Sequence, residues 1–151
     1  MVVRILTVCL GNICRSPAAE AVVRHRAAAA GLDVEVESAG TGSYHIGESP
    51  HPQSVAAGAR RGYRVEGAAR QLRPEDFDRF NLILTMDDSN LRDARRLAPE
   101  GSPAELRLLM SYIGGGEVPD PWGKPDDAYE HMYDLIEEAV DRLIADLRHR
   151  T

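Results

Sequence analysis

The first apolar run of the chain predicts a buried strand that leads directly into a helix. Apolar and β-branched residues dominate positions 2–9, a pattern typical of a strand buried on both faces of a parallel sheet. Positions 10–15 have no helical pattern, and Ser16-Pro17 then supplies a cap residue and a proline at the first helical position. We therefore expect a strand, a short loop and a helix that continues to about Ala30.

The remaining chain alternates between strand and helix patterns. Strands are predicted at 33–38, where polar and apolar residues alternate as in an edge strand, and at 81–86 and 105–110. Helices are predicted at 53–61, at 74–80, from the caps at 87–89 to about 97, and from 129 towards the end. This order favours an α/β fold, and the length of 151 residues fits one domain spanning 1–151.

The loop after the first strand carries residues suited to nucleophilic phosphoryl chemistry. Cys9 opens the loop and Arg15 closes it, next to a helix N-terminus. Backbone N–H groups, the helix dipole and a guanidinium all stabilise a thiolate, so Cys9 is predicted to be ionised at neutral pH. The same amides can bind a phosphate, and the planar fork of Arg15 matches two phosphoryl oxygens. The loop therefore predicts a nucleophilic cysteine inside an anion-binding site.

The full string VCLGNICRSP resembles the active-site signature of the low-molecular-weight protein tyrosine phosphatases. The resemblance extends from Val3 to Ala139 and implies a three-layer fold, with a four-stranded parallel sheet in the order 2-1-3-4 and helices on both faces. It also implies a set of supporting and phosphate-binding residues around the catalytic Cys9 and Arg15: Leu10, Gly11, Asn12, Ile13, Cys14 and Ser16. We expect Asn12 to adopt a left-handed backbone and Ser16 to hydrogen-bond the sulfur, although Ser16 could equally be a plain helix cap.

A second stretch, VPDPW, contains the candidate proton donor. Asp120 lies between two prolines that stiffen its loop, yet Asp-Pro is also a common turn dipeptide. The match to the family's general-acid loop favours the catalytic role. In the same way, SAGTGSYHIG matches a family segment whose aromatic residue lines the site entrance, which assigns Tyr44 to the substrate wall. We also expect His45 to border the substrate, and Tyr44 and Trp122 to flank a flat ring. A surface aromatic packed on its own loop is the alternative for Tyr44.

The resemblance implies hydrolysis of phosphotyrosine and small aryl phosphates through a phosphocysteine intermediate, without metal or cofactor. The expected partners are phosphotyrosine-containing proteins in signalling, acted on by a monomer or weak dimer. Cys14 has three interpretations: a small buried residue, the partner of Cys9 in a reversible disulfide, as the resemblance implies, or one of a metal-binding pair, which is disfavoured. Two cysteines lack the further ligands that a zinc site needs.

Composition excludes several other classes. The net charge of −6, with basic residues spread along the chain, argues against nucleic-acid binding. We expect a cytoplasmic protein without membrane insertion, because the strand pattern begins almost at once and no apolar run approaches membrane-spanning length. Gly40-Thr-Gly42 lacks the third glycine and the helix of a dinucleotide site.

Three points stay open at the level of sequence. Arsenate reductases share the expected fold and loop, but they need further cysteines to relay the disulfide, and no cysteine follows Cys14. A catalytically silent phosphotyrosine-binding module would be expected to lack Cys9 or Asp120, and both are present. Asp87 could face the site from a strand end, but we assign it to capping. The family often has a histidine that supports Asn12 where this chain has Gly67, so the partner of Asn12 is unassigned.

Overall fold

A four-stranded parallel sheet in the order β2-β1-β3-β4 forms the centre of the protein, as predicted. The structure is a computed structural model that describes residues 2–150. Its strands are β1 Val3–Cys9, β2 Val34–Gly40, β3 Leu82–Thr85 and β4 Glu105–Leu108. Its α-helices are α1 Arg15–Ala29, α2 Pro52–Arg60, α3 Asp76–Arg79, α4 Asp88–Leu97 and α5 Asp126–Arg150, and a 3-10 helix covers Leu109–Ile113.

Helices cover both faces of the sheet, which confirms the three-layer prediction. Successive side chains of β1 point to opposite faces, so Ile5 packs with α1, α2 and α5, whereas Leu6 packs with Phe77 and Ala94 of α3 and α4. The long helix α5 is amphipathic, with one buried row of apolar side chains. Among residues 2–150, no helix is both long and apolar enough to cross a membrane.

Several predicted boundaries shift in the structure. The strand predicted at 105–110 ends at Leu108 and continues as a 3-10 helix, and the helix predicted at 74–80 is the single short turn Asp76–Arg79. The capping role predicted for Ser16 is wrong. Helix α1 begins one residue earlier, with Cys14 at the N-cap position, so Ser16 lies inside the helix and its hydroxyl is available elsewhere.

The carboxyl ends of three strands meet at one edge of the sheet. Cys9, the last residue of β1, pairs with Gly40 of β2, and Val8 pairs with Thr85 of β3. A Cβ on Gly40 would lie 2.6 Å from the carbonyl oxygen of Leu10, so only glycine allows β2 to approach the loop this closely. The segments that leave these strands therefore surround the same crevice, where open α/β sheets bind ligands.

Candidate active site

The loop between β1 and α1, residues 9–15, forms one wall of a cavity of about 400 Å³ at this edge of the sheet. Ten of the site residues predicted from the sequence line it: Cys9, Leu10, Gly11, Ile13, Cys14, Arg15, Tyr44, His45, Asp120 and Trp122. The other two, Asn12 and Ser16, do not line the cavity and act from behind the loop. The structure thus brings together groups from three separate parts of the sequence.

The sulfur of Cys9 is buried and receives polar contacts. Cys9 is 3% exposed, and its Sγ lies 3.0 Å from the hydroxyl of Ser16. The backbone N–H of Asn12 donates to the same sulfur over 3.3 Å. The loop and the first turn of α1 therefore both provide polar groups to the sulfur. The Ser16 hydroxyl therefore contacts the sulfur, the first of the two roles considered from the sequence, and does not cap α1.

Asn12 connects the loop to the two strands behind it. Its backbone has φ 58°, the left-handed conformation expected from the sequence, and its side chain is 3% exposed. Its Nδ2 donates to the hydroxyls of Ser16, over 2.8 Å, and Ser38, over 2.9 Å, and its Oδ1 accepts from the backbone N–H of Arg70 over 3.0 Å. These partners stabilise Asn12 without the histidine that is absent at Gly67.

Carbonyl groups of the loop are bonded on its outer side. The carbonyl of Ile13 accepts from the backbone N–H of His51 over 2.8 Å, and that of Cys14 accepts from the Ser54 hydroxyl over 3.1 Å. Both donors lie at the start of α2. Because the two ends of a peptide unit point in opposite directions, carbonyls directed outward leave N–H groups free to face the cavity. The start of α2 therefore supports the anion-binding geometry of the loop.

Arg15 is held by two carboxylates and a backbone carbonyl. The residue is 3% exposed; its Nη1 donates to Asp87 over 2.6 Å and to the carbonyl of Val118 over 3.1 Å. Its Nη2 lies 3.8 Å from the carboxylate of Asp120. Burial alone would lower the pKa of Arg15, but Cys9, Asp87 and Asp120 raise it above its ordinary value. The guanidinium therefore stays charged and fixed in orientation.

Asp87 is the site residue that sequence reasoning assigned only in part. It caps α4, as predicted, since its Oδ1 accepts from the Asn90 N–H over 2.8 Å. Its second oxygen binds Arg15, so the alternative that the sequence analysis set aside also holds. The available signal was the position of the acid directly after the buried strand β3, at the edge where strand ends converge.

Asp120 reaches the cavity on the loop that precedes α5. The backbone N–H of Val118 donates to the carbonyl of Met86, just after β3, over 2.8 Å and anchors this loop to the sheet. The Asp120 side chain is 49% exposed, and one of its oxygens accepts from the N–H of Trp122 over 3.1 Å. The carboxylate is therefore accessible to both a bound substrate and water.

Exposed apolar side chains form the entrance of the cavity. Tyr44 is 74% exposed, Trp122 58% and Leu10 41%. The imidazole of His45 packs against Gly11, where a Cβ would lie 2.9 Å from its Cδ2, and its Nδ1 contacts Glu48 over 3.0 Å. Large exposed apolar groups around a cavity indicate a binding surface. Within residues 2–150, no three His, Cys, Asp or Glu side chains are grouped to hold a metal ion.

The chain matches known proteins over almost its full length. A family model described as low molecular weight phosphotyrosine protein phosphatase matches residues 4–151. A low molecular weight protein-tyrosine-phosphatase of Streptomyces coelicolor is 44% identical over 158 residues, which cover 99% of this chain and 96% of that protein.

Solved structures agree with the sequence comparison. A protein tyrosine phosphatase from Entamoeba histolytica has a TM-score of 0.93 and 34% identity, covering 97% of each chain. An arginine phosphatase from Drosophila has a TM-score of 0.90 and 31% identity, also covering 97% of each chain. The fold and the arrangement of its elements are therefore common to enzymes described as acting on different phosphorylated side chains.

Proposed function

Because the chain belongs to the low molecular weight phosphotyrosine protein phosphatase family, we propose that this protein tyrosine phosphatase works through a phosphocysteine formed on Cys9. The observation that carries the proposal is the convergence of Cys9, Arg15 and Asp120 on one cavity. A nucleophile, an anion-binding group and a proton donor are the three functions that transfer of a phosphoryl group from an aryl oxygen requires.

In the first step, the Cys9 thiolate attacks phosphorus in line with the aryl oxygen. The loop amides and the guanidinium of Arg15 bind the three equatorial oxygens, over which negative charge is spread in the transition state. Asp87 and the Val118 carbonyl hold Arg15 in one orientation, so little reorganisation is needed when the substrate arrives. The P–O bond to the aryl group breaks as the S–P bond forms.

Asp120 gives its proton to the departing aryl oxygen. A phenolate is a poor leaving group, because the pKa of its conjugate acid is about 10. The Asp120 carboxylate then accepts a proton from the water that attacks the phosphocysteine, and the S–P bond breaks to release inorganic phosphate. Ser16, whose hydroxyl lies 3.0 Å from the sulfur, stabilises the thiolate that leaves in this second step.

Aromatic substrates fit the entrance of the cavity. Tyr44 and Trp122 present exposed rings at the cavity that contains Cys9. A flat aryl ring can stack between such groups, with an interaction of about 0.5–1.5 kcal/mol for each aromatic pair. This supports phosphotyrosine and small aryl phosphates as the substrate class. The reaction as derived uses only backbone and side-chain groups of this protein and water.

The decisive test is the turnover of p-nitrophenyl phosphate by the wild type and by Cys9→Ser in the presence of a chelator. We expect metal-independent turnover in the wild type and a loss of at least about 10⁴-fold in the variant, the scale seen when a nucleophile is removed. Trapping of a phosphorylated Cys9 after rapid acid quench supports the covalent step directly. Turnover that survives the substitution contradicts it.

Substrate class is tested separately with phosphorylated peptides. We expect release of phosphate from phosphotyrosine peptides and at least about tenfold lower kcat/KM on phosphoarginine peptides, because the stacking contribution of an aryl ring is absent there. A preference for phosphoarginine would leave the phosphocysteine mechanism intact and change the substrate. Arsenate reduction without added cysteines, measured as arsenite formation, would instead favour a reductase.

A further inference from the structure

The loop that carries Asp120, here called the acid loop, comprises residues 117–123. Its first part is fixed to the sheet, because the backbone N–H of Val118 donates to the carbonyl of Met86 over 2.8 Å. The carbonyl of Val118 accepts in turn from the guanidinium of Arg15 over 3.1 Å. These bonds position the chain two residues before the carboxylate. The position of Asp120 therefore also depends on how the chain is held after it.

A tight turn follows Asp120 directly. The backbone N–H of Lys124 donates to the carbonyl of Pro121 over 3.0 Å, and Gly123 has φ 81°, the left-handed conformation that this kind of turn requires at its third residue. The second residue of the turn is Trp122, whose N–H donates to the Asp120 carboxylate over 3.1 Å. The turn therefore carries both a ring of the cavity entrance and a hydrogen bond to the proposed proton donor.

The side chain of Gln53, in the first turn of α2, binds the far end of this turn. Its Nε2 donates to the carbonyl of Lys124 over 3.2 Å and to the carboxylate of Asp126, at the start of α5, over 2.8 Å. A carboxamide nitrogen carries two protons, and these two acceptors use both of them. Gln53 thus connects α2 to groups that lie 71 and 73 positions later in the chain.

The same turn of α2 supports the phosphate loop, residues 9–15. His51 donates to the carbonyl of Ile13 through its backbone N–H, and Ser54 donates to the carbonyl of Cys14 through its hydroxyl. Gln53 lies between these two donors in the sequence. One helical turn therefore contacts the loop of the nucleophile and the end of the loop of the proton donor, and it sets the distance between them.

We propose that Gln53 is a positioning residue for the proton transfer from Asp120 to the leaving group. Its two hydrogen bonds hold the turn at 121–124, and this turn holds the Asp120 carboxylate through the N–H of Trp122. The inference rests on the proposed function, because it needs Asp120 to be the general acid. Gln53 does not line the cavity, so it acts through the acid loop and not by contact with the substrate.

The proposed role has a kinetic signature that a purely structural role lacks. A general acid must lie within hydrogen-bond reach of the oxygen that it protonates. A displaced Asp120 therefore slows the release of basic leaving groups and has little effect on leaving groups that need no proton. The signature is the slope of log kcat/KM against leaving-group pKa, because kcat/KM measures the barrier from free enzyme and substrate to the transition state.

The test measures this slope for aryl phosphates with the full chain and its variant Gln53→Met. Methionine keeps a long unbranched side chain that suits a helix, but it removes both donors. We expect kcat/KM to fall about three- to tenfold for phenyl phosphate and to stay within about twofold for a dinitrophenyl ester, so that the slope becomes steeper. Partial unfolding would lower kcat/KM equally for all esters and cannot change the slope.

A rescue variant and a matched control define which group is responsible. Gln53→Lys keeps donors for a carbonyl and a carboxylate, so it should restore the wild-type slope. The control is Gln71→Met. Gln71 also donates from Nε2 to a backbone carbonyl, that of Thr41, over 3.1 Å, but this carbonyl belongs to the segment after β2. We expect the control to keep the slope of the wild type.

Combination with Asp120→Asn tests whether Gln53 acts through Asp120. When the proton donor is already removed, its position no longer matters, so the effects of the two substitutions should not add. We expect kcat/KM of the double variant on phenyl phosphate to lie within about twofold of that of Asp120→Asn alone. Equal losses from Gln53→Met with and without Asp120 would overturn the inference.

The outcomes also separate this inference from the proposed function. An unchanged slope in Gln53→Met overturns positioning by Gln53 and leaves Cys9 and Asp120 in their roles. An unchanged slope in Asp120→Asn overturns the general acid and this inference with it. Turnover that persists in Cys9→Ser overturns the covalent mechanism, whatever the slope in the Gln53 variants.

Discussion

The two halves of the candidate site differ in how firmly the fold holds them. In the phosphate loop, residues 9–15, Cys9, Asn12 and Arg15 are each 3% exposed. The Cys9 sulfur contacts the Ser16 hydroxyl and the Asn12 N–H, and the side chains of Asn12 and Arg15 bond to β2 or to the segments that follow β2 and β3. In the acid loop, residues 117–123, the Asp120 side chain is 49% exposed, accepts a hydrogen bond from Trp122 of its own loop and lies 3.8 Å from Arg15.

This difference follows from the tasks of the two loops. Binding a doubly charged phosphoryl group is most effective when the dipoles and the cation are fixed in advance and screened from water. Moving a proton to a leaving group, and later from water, requires a carboxylate that both can reach. The buried half acts on the phosphoryl group, which every substrate shares, and the exposed half acts on the leaving group, which varies. The loss of activity caused by a substitution should therefore depend on the leaving group in the exposed half and be independent of it in the buried half.

The largest effect is expected in the buried half, from Arg15→Lys. A lysine keeps the charge, but it lacks the planar fork with which Arg15 can bond both Asp87 and the phosphoryl oxygens. We expect kcat/KM to fall by about 10³-fold, equally for p-nitrophenyl and phenyl phosphate. Steady-state kinetics on both substrates checks this, with the exposed Arg24→Lys as the control. A loss that depends on the leaving group would contradict the division between the halves.

The second-largest effect is expected in the exposed half, from Asp120→Asn. We expect kcat to fall by about 10²-fold or more with phenyl phosphate, since an amide cannot protonate the phenolate. With a dinitrophenyl ester, whose leaving group needs no proton, the loss should be under about tenfold. The measurement is the slope of log kcat against leaving-group pKa, with the exposed Asp127→Asn as the control. Equal losses across the series would exclude Asp120 as the proton donor.

The buried half was also the half that the sequence predicted best, because it is encoded locally. The β-branched run of β1, the loop without helical pattern and Pro17 after it define strand, loop and helix within one stretch. The left-handed Asn12 could be expected because few other side chains accept that conformation. The strand order came from the resemblance to a family, since no local pattern specifies it.

Contacts between distant segments could not be predicted. Arg15 and Asp87 are 72 positions apart, and capping of α4 already explained an acid at that position. The cap position of α1 was predicted wrongly, because the helix starts at Arg15 and places Cys14 there instead of Ser16. Tyr129 was assigned to the core by its helical spacing, and the core is where it packs, but its hydroxyl contact with Cys14 depends on the tertiary structure.

A smaller effect than that of Asp120 is expected from Asp87→Asn. Asparagine still caps α4 and still accepts a hydrogen bond from Arg15, so only the charge that orients the guanidinium is lost. We expect kcat/KM to fall by about tenfold, or about 1.4 kcal/mol, to the same extent for activated and unactivated aryl phosphates. The thermal midpoint should stay close to wild type. A loss that grows with leaving-group basicity would place Asp87 with the acid loop instead.

The smallest effect is expected at the rim of the exposed half, from Trp122→Ala. Its ring is 58% exposed, so water replaces much of the contact that it makes with a substrate ring, and the loss should correspond to about 0.5–1.5 kcal/mol of stacking. We expect KM for aryl phosphates to rise by about 2–10-fold with kcat nearly constant, because binding and not the chemical step is weakened. Turnover of alkyl phosphates should be unaffected.

Ile46→Ala, which removes a side chain that is also 58% exposed but does not line the cavity, is the matched control. A fall in kcat at constant KM would mean that Trp122 positions Asp120, through the backbone N–H that bonds its carboxylate, and that the two members of the exposed half act as one unit.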